Sequence, residues 1–262
     1  MSEYVPYLPI MLDCRARPIL VIGGGRVAER KIIHMLEAKA IVIVISPEVT
    51  AVVKELAERG KLHWLQRTYI AGDLSASLSA VHSSGIDRNS NTVTHSNTDT
   101  DFTTAEPSQT VTDSSNRLQR YLLVYAATSR PDVNQRIAEE AQRCGIPVNV
   151  ADRHELGTFI NPAVIRRGRL VASVSTSGAG PAISRRIVSE LENYFDEDYE
   201  LYMEFMYHLR HHIKQVVHDP QERRRLLEQA ATLDVLAQIR HKQFVWWDEE
   251  QIEQWIIQYR GR

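Results

Sequence analysis

The stretch from Pro18 to Pro47, "PILVIGGGRVAERKIIHMLEAKAIVIVISP", decides the fold. It opens on a short apolar run, "PILVIGG", and passes through consecutive glycines. It then continues at helical spacing over "RVAERKIIHMLEAK" and returns to a second apolar run, "AIVIVISP". Strand, helix, strand, with both strands apolar on each face, predicts a parallel sheet covered on two sides. The glycines fit G-x-G-x-x-A at Gly23, Gly25 and Ala28. Between a strand and a helix, that pattern permits a tight turn and lets backbone N–H groups at the positive helix end approach a pyrophosphate. Gly23, Gly24 and Gly25, with Arg26 and Val27 behind them, are the candidate cofactor-binding residues.

A dinucleotide site of this kind usually grips the adenosine ribose with an acid about 20 residues on, at the end of the second strand. Ser46 occupies that place here, with Glu48 two residues later. A hydroxyl can both donate to and accept from a ribose hydroxyl. No arginine stands beside Ser46 to meet a 2′-phosphate, so NAD is expected rather than NADP. "AATSR", at the end of a later strand, is expected to line the crevice near the nicotinamide, with Thr128 the contact.

Outward from this unit the rhythm continues. "EVTAVVKELAERGK" and "PDVNQRIAEEAQRC" read as helices, and "LHWLQRTY", "RYLLVYAAT" and "GIPVNVAD" as strands. The fold class is therefore α/β, a Rossmann-like parallel-sheet nucleotide domain over residues 1–158. Residues 75–116 break the rhythm: rich in Ser, Thr and Asn and poor in large apolar residues, they read as a disordered insertion. It should enter the following strand at its N-terminal end, away from the ligand edge. Beyond Asp152, "RLVASVSTSG" alternates apolar and polar residues as a half-covered strand does, which fits a small region with strands over 159–195. A helical C-terminal region over 196–262 follows, with Leu201, Phe205, Leu209 and Ile213 on one face. Asp219 with Glu222, and Asp248 with Gln251, have capping-box spacing.

Composition narrows the function classes. The chain has 262 residues, 43% hydrophobic and 24% charged, values of a globular protein that buries a core. A formal net charge of −2 offers no global reason to bind nucleic acid or a membrane. The two cysteines, Cys14 and Cys144, form no ligand motif and read as reduced thiols. No apolar run approaches the ~18 residues that span a bilayer, and the start does not read as a signal peptide. A cytoplasmic protein is expected.

"VNVADRHELGTFINPA", Val148 to Ala163, sets an aspartate directly after a short buried strand. Asp152 either does chemistry or only ends the strand in an Asx-turn. "GGGRVAERK", "LLVYAATSRPDVNQRIAEEA", "VNVADRHELGTFINPAVIRRGRLVASVSTSGAGPAIS" and a helical tail together resemble the precorrin-2 dehydrogenase family, the N-terminal module of siroheme synthases. The likeness covers roughly 8–73 and 120–184. It implies NAD-dependent oxidation of precorrin-2 to sirohydrochlorin in siroheme biosynthesis, with ferrochelatase activity in some members. It also implies a homodimer through residues after the nucleotide domain, and a role for Asp152, which matches the family's aspartate position for position. The family commonly has a serine where Gly180 stands.

The implied substrate is a polycarboxylate macrocycle, for which guanidinium groups are suited. Arg153, Arg166 and Arg185, from a cluster that also holds Arg167, Arg169 and Arg186, are the candidate substrate-binding cations, with Asn161 of "FINPA" shaping the pocket. No metal site is expected: His208, His211 and His212 read as a polar helix face and His154 as a loop residue. The alternative is a non-catalytic NAD-sensing or interaction module, which would need the glycine loop but no carboxylate. A dehydrogenase acting on another small substrate is the third reading.

Overall fold

The structure, a computed structural model, describes residues 7–75 and 120–260. Contacts divide the chain into two compact units: Leu8–Asn161, and the residues from Pro162 onward with Tyr7. Most of the expected 75–116 insertion, all but Ser75, lies outside the described residues. Among the described residues no helix is long and apolar enough to cross a membrane.

The first unit alternates strands and helices: β1 (Pro18–Ile22), α1 (Arg26–Glu37), β2 (Ile41–Ile45), α2 (Ala51–Glu58), β3 (His63–Leu65), β4 (Leu123–Ala126), α3 (Pro131–Arg143) and β5 (Val148–Val150). The strands form one sheet in the order β3-β2-β1-β4-β5, parallel throughout. The winding reverses between β1 and β4, which opens a crevice beyond their C-terminal ends.

Both faces are buried, as the uninterrupted apolar runs require. Side chains alternate across a strand with period two. Leu20, Ile22, Ile43, Ile45, Val124, Val148 and Val150 meet Ile137, Ala138 and Ala141 of α3. Ile19, Val21, Val42 and Val44 meet Ala28, Ile32 and Met35 of α1 and Val53 of α2.

The strand expected over "LHWLQRTY" is only three residues long. It is the sheet edge, and just beyond it polar contacts take over. Arg67 grips Asp73 in two bonds of 2.8 Å. Buried Glu140 of α3 accepts the Tyr69 hydroxyl and the N–H groups of Gly72 and Leu74, at 3.0 and 3.1 Å. The boundary expected at 158/159 falls instead at 161/162. Phe159 packs into the sheet core, and its carbonyl accepts a 3.0 Å bond from Asn149 Nδ2.

The second unit starts with an antiparallel hairpin, β6 (Ala163–Arg167) and β7 (Leu170–Val174). Five helices follow: α4 (Pro181–Tyr194), α5 (Asp198–Val216), α6 (Pro220–Ala230), α7 (Val235–Arg240) and α8 (Glu249–Tyr259). Phe205, Leu209 and Ile213 of α5 are fully buried among Leu226, Ile252, Trp255 and Ile256. Leu201, expected on the same face, is 43% exposed because it lies a turn before that core begins. The Phe205 ring sits at the edges of Phe244, Trp246 and Trp247, with centroids 5.0, 5.6 and 5.3 Å away.

Only one of the two expected capping boxes closes. Asp248 and Gln251 bond each other's backbone reciprocally at the start of α8. Asp219 takes the Glu222 N–H at 2.7 Å, but the Glu222 carboxylate turns away to Arg260, 2.8 Å distant. A charged partner competes successfully with a backbone N–H, since charge-assisted bonds are the stronger.

The packing sets a hierarchy of losses. Phe205→Ala should destabilise the protein by about 3–5 kcal/mol and Asp248→Ala by about 1 kcal/mol, read as urea unfolding midpoints. Equal losses would contradict the assignment of Phe205 as the centre of the helical core.

Candidate functional site

The glycine loop is built by close backbone approach. Gly23 adopts φ +122°, and its N–H bonds the Ile45 carbonyl at 3.0 Å. A Cβ there would lie 2.2 Å from the Ala127 carbonyl oxygen at the end of β4. At Gly24 it would meet the Glu48 carbonyl at 2.1 Å. Gly25 differs: it is exposed, and a Cβ would touch nothing within 4 Å. It is also the N-cap of α1, and no side chain caps the helix there. Open space over uncapped N–H groups, at the positive end of a helix, suits a dinucleotide pyrophosphate. Arg26 and Val27 are exposed at the same mouth.

Ser46 lies under this loop rather than beside an open face. It is 7% exposed, and its hydroxyl donates to the Glu48 carbonyl at 2.6 Å. Trp64 Nε1 donates to the Ser46 carbonyl at 2.9 Å. The residue expected to meet the ribose therefore shapes the turn that carries exposed Glu48.

Across the crevice, Thr128 follows β4 and Asp152 follows β5. They are joined by a residue the sequence reading did not single out. Asn134 of α3 is fully buried, and its amide makes every bond within reach. Its Oδ1 accepts from the Thr128 N–H at 3.1 Å and the Thr128 hydroxyl at 2.7 Å. Its Nδ2 donates to the Thr128 carbonyl at 3.1 Å and to Asp152 Oδ1 at 2.8 Å. A signal for Asn134 was present in the sequence: it is the polar member of the apolar stripe formed with Ile137, Ala138 and Ala141.

No backbone N–H within its own turn is bonded to the Asp152 carboxylate, so it forms no Asx-turn. Its side chain is 35% exposed, and Oδ2 lies 3.9 Å from Arg153 Nε, beyond hydrogen-bond reach. One oxygen is thus held, and the other accepts no hydrogen bond from the described residues. Arg153 is more committed than expected: its guanidinium donates to the Pro131 carbonyl at 2.7 Å and to Gln135 Oε1 at 3.4 Å.

Asn161 belongs to a second polar group on the opposite face of the sheet. Tyr125 donates its hydroxyl to Asn161 Oδ1 at 3.2 Å. The half-buried Lys31 ammonium donates to Asn149 Oδ1 at 2.9 Å and lies 5.1 Å from the Tyr125 ring centroid. Burial pushes the Lys31 ammonium down to about 8 and the Tyr125 phenol up to about 12. Neither residue was singled out from sequence, because a lysine in an amphipathic helix ordinarily faces solvent.

The remaining candidates lie in the second unit. Arg169 pairs with Glu204 at 2.6 Å over the Tyr207 ring, and Arg186 with Glu190 at 3.0 Å. Arg166 and Arg185 are exposed and meet no carboxylate among the described residues. The α5 histidines diverge: His208 lies beside Trp246, His211 stacks on Tyr207, and His212 is buried, contrary to the polar face expected of it. Among the described residues no three metal-ligating side chains converge.

Residues 10–163 match the family model described as "Putative NAD(P)-binding". The chain belongs to that NAD(P)-binding family. Residues 199–232 of this NAD(P)-binding protein match the SirC C-terminal domain. A siroheme synthase of Methylococcus capsulatus is 31% identical over 85% of this chain and 38% of its own length. One from Methylobacillus flagellatus is 32% identical over 83% of this chain and 37% of its own. The chain thus spans well under half the length of these relatives. A solved structure titled "SirC, precorrin-2 dehydrogenase" shares the fold, with TM-score 0.65 and 24% identity over 97% of this chain and 100% of that one.

The glycine geometry separates folding from ligand binding. Gly25→Ala should leave the melting temperature of this NAD(P)-binding protein unchanged yet weaken NADH binding about tenfold or more, read by fluorescence titration. Gly24→Ala, driven into the Glu48 carbonyl, should lower the melting temperature as well.

Lys31 makes a pH prediction. Between pH about 8 and 10.5 the unfolded lysine holds a proton that the folded one has lost, so stability attributable to Lys31 rises with pH across that window. Lys31→Met should remove a rise of about 1–3 kcal/mol, visible as a flatter curve of unfolding free energy against pH.

Proposed function

We propose that this protein oxidises precorrin-2 to sirohydrochlorin with NAD, in siroheme biosynthesis, and that Asp152 accepts the proton. The observation that carries the reading is the Asp152 carboxylate at the C-terminal end of β5, one oxygen held by Asn134 and the other open. Bound along the glycine loop, NAD supplies the hydride acceptor. Gly23, Gly24 and Gly25 would hold its pyrophosphate at the N–H groups that start α1, with Arg26 and Val27 at the rim. Glu48, presented by Ser46, would meet the ribose of a bound dinucleotide, where a carboxylate favours NAD over the phosphorylated form.

Oxidation removes one hydride and one proton from the macrocycle, so the balance requires a base. Asp152 takes that proton and passes it to solvent, to which it is partly open. Thr128 orders the strand end beside the nicotinamide half of the crevice. Arg166 and Arg185, exposed and without acidic partners among the described residues, meet substrate carboxylates. Asn161, which accepts the Tyr125 hydroxyl, is a further polar candidate for substrate contact. Arg153 keeps positive charge beside the Asp152 carboxylate.

The same reading makes the protein a cytoplasmic homodimer. Helix α4 has no buried residue, and Ile183 and Tyr194 on it, with Val164 of β6, are 48%, 66% and 41% exposed. A second copy covering that apolar surface accounts for it.

Anaerobic turnover of precorrin-2 with NAD, followed by sirohydrochlorin absorbance, tests the proposal. Asp152→Asn should lower turnover about 10²–10⁴-fold with NADH affinity retained. Undiminished turnover would remove Asp152 from the mechanism, and NAD binding without turnover would favour a sensing module. Adding Fe²⁺ to the same cuvette tests chelation, in which the same carboxylate would accept pyrrole protons.

A further inference from the structure

Resting on the reading of Asp152 as the proton acceptor, we infer that Asn134 is a positioning residue that sets the base against the nicotinamide side of the crevice. Three features carry this. First, Asn134 is fully buried, where an amide left unsatisfied is costly, so its four bonds hold it firmly. Second, its orientation is determined. The Thr128 N–H can only donate and so must face Oδ1, while the Thr128 carbonyl and the Asp152 carboxylate can only accept and so must face Nδ2. Third, these bonds join the ends of β4 and β5 through one planar group. The distance between Thr128 and Asp152 is then governed by a rigid amide rather than by two independent loops.

The chemistry follows from which atom faces Asp152. An amide N–H at 2.8 Å occupies one oxygen of the carboxylate and fixes the direction in which the other faces. The bond to Thr128 also couples the base to the strand end nearest the cofactor. Arg153 Nε, 3.9 Å from Oδ2, is the charged group beside the other oxygen and does not bond it. Asn134 therefore supplies the one direct hydrogen bond to the base from the described residues.

Asn134→Asp isolates this role. It keeps an oxygen toward the Thr128 N–H and hydroxyl but places a second carboxylate oxygen against Asp152. Two carboxylates at that distance share a proton, so the accepting form of the base emerges only at higher pH. In anaerobic precorrin-2 oxidation with NAD, the acid limb of the Asn134→Asp pH–rate profile should move up by about one pH unit or more. NADH affinity, measured by fluorescence, should stay within about threefold of wild type because the glycine loop is untouched.

A profile that coincides with wild type after correction for active protein would overturn the inference. If Asn134→Asp does not fold, Asn134→Ser, too short to reach Asp152, serves in its place. Its kcat should fall about tenfold with KM for NAD and precorrin-2 within about threefold, and an unchanged kcat would equally overturn it. Asp152→Asn, assayed alongside, separates the two levels. Full turnover in that variant defeats the parent reading, whereas loss of turnover with an unshifted Asn134→Asp profile defeats only the role of Asn134.

Discussion

The turn between β1 and α1 has no room for a side chain at Gly23 or Gly24, and the site is arranged around that constraint. Gly23 brings the chain so close to Ala127 at the end of β4 that a single carbon would collide with its carbonyl oxygen. Gly24 does the same against Glu48 after β2. The contacts draw three strand ends around one turn, and they aim the uncapped start of α1 into the resulting crevice. Gly25, under no such pressure from its own chain, leaves the space a pyrophosphate needs. Steric exclusion by the fold and accessibility to the ligand thus sit one residue apart.

The second organising element is polar. A sheet buried on both faces leaves few places for a hydrogen-bonding side chain, and the two that α3 contributes, Asn134 and Glu140, are both hydrogen-bonded. Asn134 interrupts the apolar stripe of α3 and bonds Thr128 and Asp152 together. Glu140, six residues further along the same helix, gathers N–H groups of the segment that follows β3. Helix α3 therefore ties down both the ligand edge and the opposite approach to the sheet. It does so with two side chains that solvent barely reaches.

Several expectations shifted because the side chain is engaged by a partner other than the one its expected role requires. Ser46 was placed correctly at the end of β2, yet its hydroxyl is engaged under the loop rather than free toward a ribose. Arg153 follows Asp152 but is drawn to the start of α3. Glu222 has the spacing of a capping box, but Arg260 claims it. For Arg153 and Glu222 the deciding partner is distant in sequence, whereas for Ser46 it is the Glu48 carbonyl two residues on.

The strand–glycine–helix succession, the apolar strands and the aspartate after β5 were legible in the sequence by itself, because periodicity and backbone sterics are local properties. They established a parallel nucleotide-binding sheet and a short set of candidate residues. Only the tertiary structure decided that the Asp152 carboxylate is held by α3 instead of closing its own turn. Only it showed that Lys31 is drawn under Tyr125 and Asn149, and that His212 is buried. Those outcomes depend on which distant groups share one volume of the folded chain, where a polar group shielded from water gains by pairing.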